Sequence, residues 1–124
     1  MPDKKPCAFC PENGLVNIIA QDDVAYLVAA LGPDMKVLPG CFLIIPKEHI
    51  EDPDHLPDIW YRSVKHLRSL IPGWNPDDWN ESTNKGHFAG QRQPHVHVWQ
   101  IQRESTDEPI GLATYVLRSR TAAK

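Results

Sequence analysis

The apolar positions of the chain fall into groups whose internal spacing predicts different elements. In "GLVNIIAQDDVAYLVAAL", residues 14 to 31, two apolar runs are interrupted by Asp22-Asp23. The runs are rich in Val, Ile and Tyr, which predicts a hairpin of two strands. "GPDMKVLPG", residues 32 to 40, carries Gly and Pro at both ends and predicts a loop. "CFLIIP", residues 41 to 46, predicts a third short strand, closed by Pro46. The period then changes. In "LPDIWYRSVKHLRSLI", residues 56 to 71, Trp60, Val64, Leu67 and Ile71 recur at helical spacing, with Leu56, Ile59 and Leu70 beside the stripe. Pro57 suits the first turn of that helix, where no N–H is needed, and Pro72-Gly73 stops it. Arg62, Lys65 and Arg68 are expected to face mostly outward, and His55 and His66 to lie at the surface.

The rest of the chain is less regular. "GWNPDDWNESTNKGHFAGQRQ", residues 73 to 93, is a turn-rich connection whose length marks it as a candidate functional loop, with a short strand near Ser82 to Lys85. "PHVHVWQIQ", residues 94 to 102, alternates strictly and predicts a strand. The C-terminal "STDEPIGLATYVLRS" admits two readings. One is a helix, since Ser105 and Glu108 have capping-box spacing; the other is a strand.

Composition narrows the class. A chain of 124 residues, 41% hydrophobic and 23% charged and without internal repeats, is expected to form a single domain over residues 1–124. A net charge of −3 gives no electrostatic case for a nucleic-acid partner. No apolar stretch is long enough to cross a bilayer, and the start lacks a signal-peptide pattern, so the expected location is cytoplasmic. There a permanent disulfide is disfavoured, and "CAFC" (Cys7, Cys10) reads as a metal or a redox pair. Pro11 and the Asn13-Gly14 turn signal follow it, rather than a helix start, which favours metal.

The alternating strand carries the chemistry. His95, His97 and Trp99 share one face, and Val96 and Val98 are expected to pack on the core. The two histidines are roughly 7 Å apart along that face, so they suit two separate tasks. Gly86 and Gly90 stand just upstream, where glycines allow backbone N–H groups to approach an anion. A phosphate beside an imidazole would suit nucleophilic catalysis.

Three segments together resemble the histidine triad (HIT) superfamily. "NKGHFAGQRQPHVHV" is similar to its Asn-x-Gly…Gly-Gln…His-x-His-x-His signature. "GCFLIIPKEHI" is similar to its Gly-His-x-Leu-x-Ile-Pro-Lys-x-His segment. "CAFC" lies where zinc-containing members carry a cysteine pair. The resemblance spans about residues 7 to 103 and leaves the C-terminal segment unassigned. It implies an α+β fold, with an antiparallel sheet of about five strands and one main helix packed on it, and a homodimer. It implies a structural zinc ion on Cys7, Cys10, His49 and His95. It implies a nucleotide or nucleotide conjugate as substrate, attacked at its α-phosphate by His97 to give a covalent nucleotidyl-histidine, with Asn84, Gly90, Gln91 and Arg92 around the phosphates.

This sequence departs from the pattern at three positions. Trp99 stands at the third histidine of the triad, where indole offers one N–H donor and no titratable charge. Arg92 stands where many relatives have Ser or Thr, and would supply a bidentate cationic grip on phosphate. Cys41 replaces the histidine after Gly40 and reads as a small buried thiol. The expected activity is therefore nucleoside-phosphate hydrolysis or nucleotidyl transfer, with Trp99 placed in the substrate site. The alternative is a nucleotide-binding or zinc-stabilised interaction module with impaired turnover.

Overall fold

The structure, a computed structural model, describes residues 7–10, 15 and 17–122. Five strands form one antiparallel sheet: β1 (Ile18–Gln21), β2 (Ala25–Leu31), β3 (Val37–Pro46), β4 (Trp79–Thr83) and β5 (Val98–Gln102), in the order β1-β2-β3-β5-β4. Helix α1 (Trp60–Ser69) follows β3, and α2 (Leu112–Ala122) follows β5. The α+β architecture and the strand number are those expected.

The first hairpin turns where Asp22-Asp23 breaks the apolar run. The Asp22 carboxylate accepts hydrogen bonds from the backbone N–H groups of Val24 and Ala25, at 2.8 and 2.9 Å, so the side chain itself closes the turn. Burial alone would push this carboxyl up. The N–H of Val24, the Ser63 hydroxyl, the N–H of Ala25 and the nearby His66 outweigh it and hold the carboxyl below its ordinary value.

Strand β3 corrects the expected loop over residues 32 to 40, because it begins at Val37 and only the turn around residues 32 to 36 is irregular. The pairing explains how Pro39-Gly40 fits inside a strand. Ala29 pairs with Phe42 and Leu31 with Val37, so two steps along β2 face five along β3. Gly40, at φ 71°, supplies the backbone conformation that this bulge needs. Strand β4 also lies earlier than expected and shares only Ser82 and Thr83 with the predicted stretch.

Helix α1 is shorter than its apolar stripe. Pro57 accepts from the N–H of Trp60 in a turn ahead of the helix, and Ile71 lies just past its end. The stripe is the buried face as expected: Trp60, Val64, Leu67 and Ile71 pack with Leu27, Ile44, Val96 and Val98 on one side of the sheet. Each such side chain contributes about 1.5–3 kcal/mol of transfer free energy. Tyr26, Val28, Ala30, Leu43 and Ile45 form a second cluster, joined by Phe9, Cys41 and Trp99.

Arg68 does not face outward. Its Nε donates to Gln100 Oε1 at 2.6 Å, and its Nη2 is ion-paired with Glu81, which also accepts from Gln100 Nε2 at 2.9 Å. The guanidinium sits 4.0 Å from the centre of the Trp79 ring. Gln100 is fully buried, so an apolar alternation could not foretell that α1 is tied to β4 and β5 by a polar bridge. Removing the cation would leave Glu81 and Gln100 without their shared partner. Arg68→Leu is expected to cost about 2–3 kcal/mol, read as a lowered denaturant midpoint at unchanged m-value. A midpoint equal to wild type would show the bridge to be energetically idle.

The C-terminal segment resolves to a helix, but the capping box does not form. Residues 104 to 107 make a turn instead, with Asp107 accepting from the N–H of Glu104 at 2.7 Å. Arg103 holds the segment that follows, donating to the carbonyls of Ile110 at 2.9 Å and Glu108 at 2.6 Å. The helix therefore starts only at Leu112. None of its residues is buried, and Leu112, Tyr115 and Leu117 are exposed. No helix among the described residues is long and apolar enough to cross a membrane.

Candidate functional site

The predicted strand over residues 94 to 102 joins the sheet only from Val98. His95, Val96 and His97 precede the ladder, anchored where the N–H of Val96 donates to Ile50 O at 2.6 Å. The alternation nevertheless holds. Val96 and Val98 enter the core under α1, while His97 and Trp99 open on the opposite face.

His95 is fully buried, and its Nε2 lies 2.8 Å from the carbonyl oxygen of Pro46. A carbonyl only accepts, so Nε2 carries the proton and Nδ1 presents its lone pair to the cysteine sulfurs. That Nδ1 approaches Cys7 Sγ at 3.3 Å and Cys10 Sγ at 3.6 Å, while His49 Nδ1 approaches Cys10 Sγ at 3.2 Å. All four ligand atoms lie within 4.8 Å of one another, a cluster able to hold a metal ion. Ideal tetrahedral geometry at the usual zinc bond lengths separates a sulfur and a nitrogen ligand by about 3.6 Å, close to the distances seen here. The Pro46 carbonyl supplies the outer hydrogen bond that metal-bound histidines ordinarily make. Residues 7, 10, 49 and 95, distant in sequence, thus converge on one point.

His97 has the opposite tautomer. Its Nδ1 lies 2.9 Å from the carbonyl oxygen of His95, so Nδ1 carries the proton and Nε2 holds a lone pair. His97 is only 8% exposed and lines a cavity of about 410 Å³. Asn84, Gly90, Arg92 and Trp99 line the same cavity, so four of the five expected substrate-site residues surround His97. Gln91 does not. Its side chain braces the loop, accepting from the N–H of Gly86 at 2.9 Å and donating to Gln93 O at 3.2 Å.

The glycine loop differs from the expected anion nest. The backbone N–H groups of Ala89 and Gly90 donate within the loop, to Gly86 O and His87 O, and that of Gln91 donates to Gly86 O. Gly86 and Gly90, at φ 94° and 93°, close this tight turn, and their conformational freedom is used for that. Arg92 is available to an anion, as its Nη1 makes only long 3.4 Å contacts with the carbonyls of His87 and Gln91.

Other walls of the cavity are apolar: Phe9, Leu15, Val28, Leu31, Met35 and Leu43. Phe9 was not singled out by spacing or periodicity. It stands between the two cysteines, and its ring lies 4.9 Å from the ring of His97. The cysteine segment therefore does two things, presenting sulfur atoms to His49 and His95 on one side and a wall of the cavity on the other. Cys41 is half-buried at the edge of the second cluster rather than buried as expected, and burial together with Asp107 pushes its thiol up. His55, His66 and His87 are exposed.

No family model matches the chain. An uncharacterised HIT-like protein of Methanocaldococcus jannaschii is 30% identical over 111 residues, which cover 84% of this chain and 84% of that relative. The chain belongs to the HIT-like family. Solved structures share the fold. A zinc-bound histidine triad family protein of Mycobacterium smegmatis superposes with a TM-score of 0.64 at 22% identity, covering 95% of this chain and 97% of that one. The diadenosine triphosphate hydrolase of Plasmodium falciparum, solved with cyclomarin A, gives a TM-score of 0.60 at 19% identity, with 87% and 78% covered. The Cys/His cluster of this chain fits the zinc-containing branch of the family.

Proposed function

We propose that this protein is a nucleoside-phosphate hydrolase or nucleotidyl transferase that works through a covalent intermediate on His97. The observation that carries the reading is the His95 carbonyl bonded to His97 Nδ1, which leaves Nε2 as a nucleophile at the wall of a ligand-sized cavity. The apolar walls suit a nucleoside, and Arg92 suits its α-phosphate. The Nε2 lone pair attacks the α-phosphorus, and the bond to the leaving group breaks with its electron pair departing on that group. A water oxygen, or another acceptor, then attacks the phosphorus. The N–P pair returns to Nε2, and the proton of the acceptor passes to solvent. The diadenosine triphosphate hydrolase of the same fold supports a nucleotide substrate.

Cys7, Cys10, His49 and His95 would hold zinc, in the closed two-cysteine, two-histidine set typical of a structural ion. Bound there, zinc supplies rigidity to the lead-in of β5. A homodimer belongs to the same reading, and the exposed Leu112, Tyr115 and Leu117 of α2 are apolar surface that a second copy would cover.

Trp99 favours a second reading, a nucleotide-binding module without turnover, because indole replaces a titratable group beside His97. Trapping separates the two. Wild-type protein mixed with an α-³²P-labelled nucleoside polyphosphate and quenched in base is expected to retain label in an acid-labile, base-stable adduct, mapped to His97 by peptide mass. Nucleotide binding without any adduct would establish the module.

A further inference from the structure

A second cavity, also about 410 Å³, adjoins the one that holds His97. Its walls are Glu51, Lys85, His87, Gln91, Arg92 and Gln93, with Pro94 at the edge. Arg92 and Gln93 line both cavities, so the two are joined at those side chains. They differ in chemistry. The first is largely apolar, whereas the second presents the cations of Lys85 and Arg92 and the imidazole of His87 against a single carboxylate, Glu51.

That carboxylate is turned partly elsewhere, lying 3.8 Å from His49 Nε2. Among the described residues, neither Lys85 nor Arg92 belongs to an ion pair. All three basic side chains are exposed and project from the one loop that leads to His95. A concave group of unpaired cations is a local exception in a chain of net charge −3. Unpaired, loosely bonded cations held in a concave wall are suited to accept an oxyanion.

We propose that this cavity is a second anion subsite, which takes the phosphate groups beyond the one attacked by His97. The assignment rests on the nucleotidyl-histidine reading for its role, because it places the leaving group. It also accounts for Trp99. Indole cannot protonate a departing atom, so the leaving group must depart as a stable anion. Lys85 and Arg92 provide charge, and His87 a further ring N–H donor, where a proton is not provided. When His97 Nε2 bonds to the α-phosphorus, the phosphorus–oxygen bond toward the β-phosphate breaks. The electron pair stays on the bridging oxygen, now part of a phosphate or polyphosphate anion held by these side chains. No proton is needed at that step.

The test uses the full chain and a ligand that cannot turn over. Wild-type protein is titrated calorimetrically with AMP and with α,β-methylene-ATP, which keeps the further phosphates but has no cleavable α–β oxygen bridge. The analogue is expected to bind at least about ten times more tightly than AMP, a gain of about 1.4 kcal/mol. Lys85→Gln combined with His87→Gln is expected to remove most of that advantage, and both side chains are exposed, so the variant should keep the wild-type melting temperature. An advantage that is absent in wild type, or that survives in the variant, overturns the subsite. The trapping experiment fails or succeeds independently. A trapped adduct without the affinity advantage refutes the subsite and leaves the nucleophile, whereas the advantage without an adduct supports the anion site and refutes the nucleophile.

Discussion

His97→Ala is expected to abolish turnover while the protein still folds and still binds nucleotide. The expected loss in kcat is roughly 10⁴-fold or more, the scale on which removing a covalent nucleophile acts when the rest of the site survives. The structure explains why binding should persist. The imidazole is one wall among many in a cavity otherwise lined by Phe9, Val28, Leu31, Met35, Leu43 and Trp99. The Nδ1 proton of His97 goes to a backbone carbonyl, so truncating the ring breaks no side-chain network. The measurement is single-turnover hydrolysis of a dinucleoside polyphosphate with nucleotide affinity determined in parallel. A variant that retains more than a few per cent of wild-type turnover would place the nucleophile elsewhere, and equal inertness of both proteins would favour the binding module.

The second large effect concerns the metal. Purified protein is expected to carry about one zinc per chain, and Cys10→Ser to lose it together with several kcal/mol of stability, since a structural ion contributes folding free energy directly. For a domain of this size that is a fall in Tm of roughly 10 °C or more. Cys10 is the suitable position because it is buried and faces both His49 and His95. Activity should fall as well, for a geometric reason. Cys7 and Cys10 flank Phe9, and Phe9 packs against His97, so a loosened cysteine pair withdraws one wall of the His97 cavity. Metal content by mass spectrometry and thermal unfolding with and without a chelator check this. Metal-free protein with an unchanged Tm would refute a structural ion.

These expectations draw on different levels of the chain. The helical stripe of Trp60, Val64, Leu67 and Ile71 was legible because burial on one face of a helix imposes a period on the residues themselves. The same holds for Val96 and Val98 against His97 and Trp99, since successive strand residues must point to opposite faces. Residue types and their order also carried the family resemblance and the four candidate ligands. The start of β3 is not legible in the sequence because Pro39-Gly40 signals a turn locally, while the partner strand determines whether a bulge can absorb it. Arg68 turns inward although its charge predicts solvent, because Glu81 and Gln100, supplied by two other elements, offset its burial.

Local periods, ligand types and the likeness to a family are legible along the chain, because all are properties of neighbouring residues or of motif order. The tertiary structure alone decided that His95 and His97 hold opposite tautomers, because each proton is assigned by a carbonyl, Pro46 or His95, that the fold brings to the ring. It alone turned Phe9 onto His97 and used Gln91 and the glycine-loop amides to brace the loop. It also placed Lys85, His87 and Arg92 around one hollow beside the histidine cavity. Such contacts depend on distances between elements, and a linear pattern of apolar and polar residues does not encode those distances.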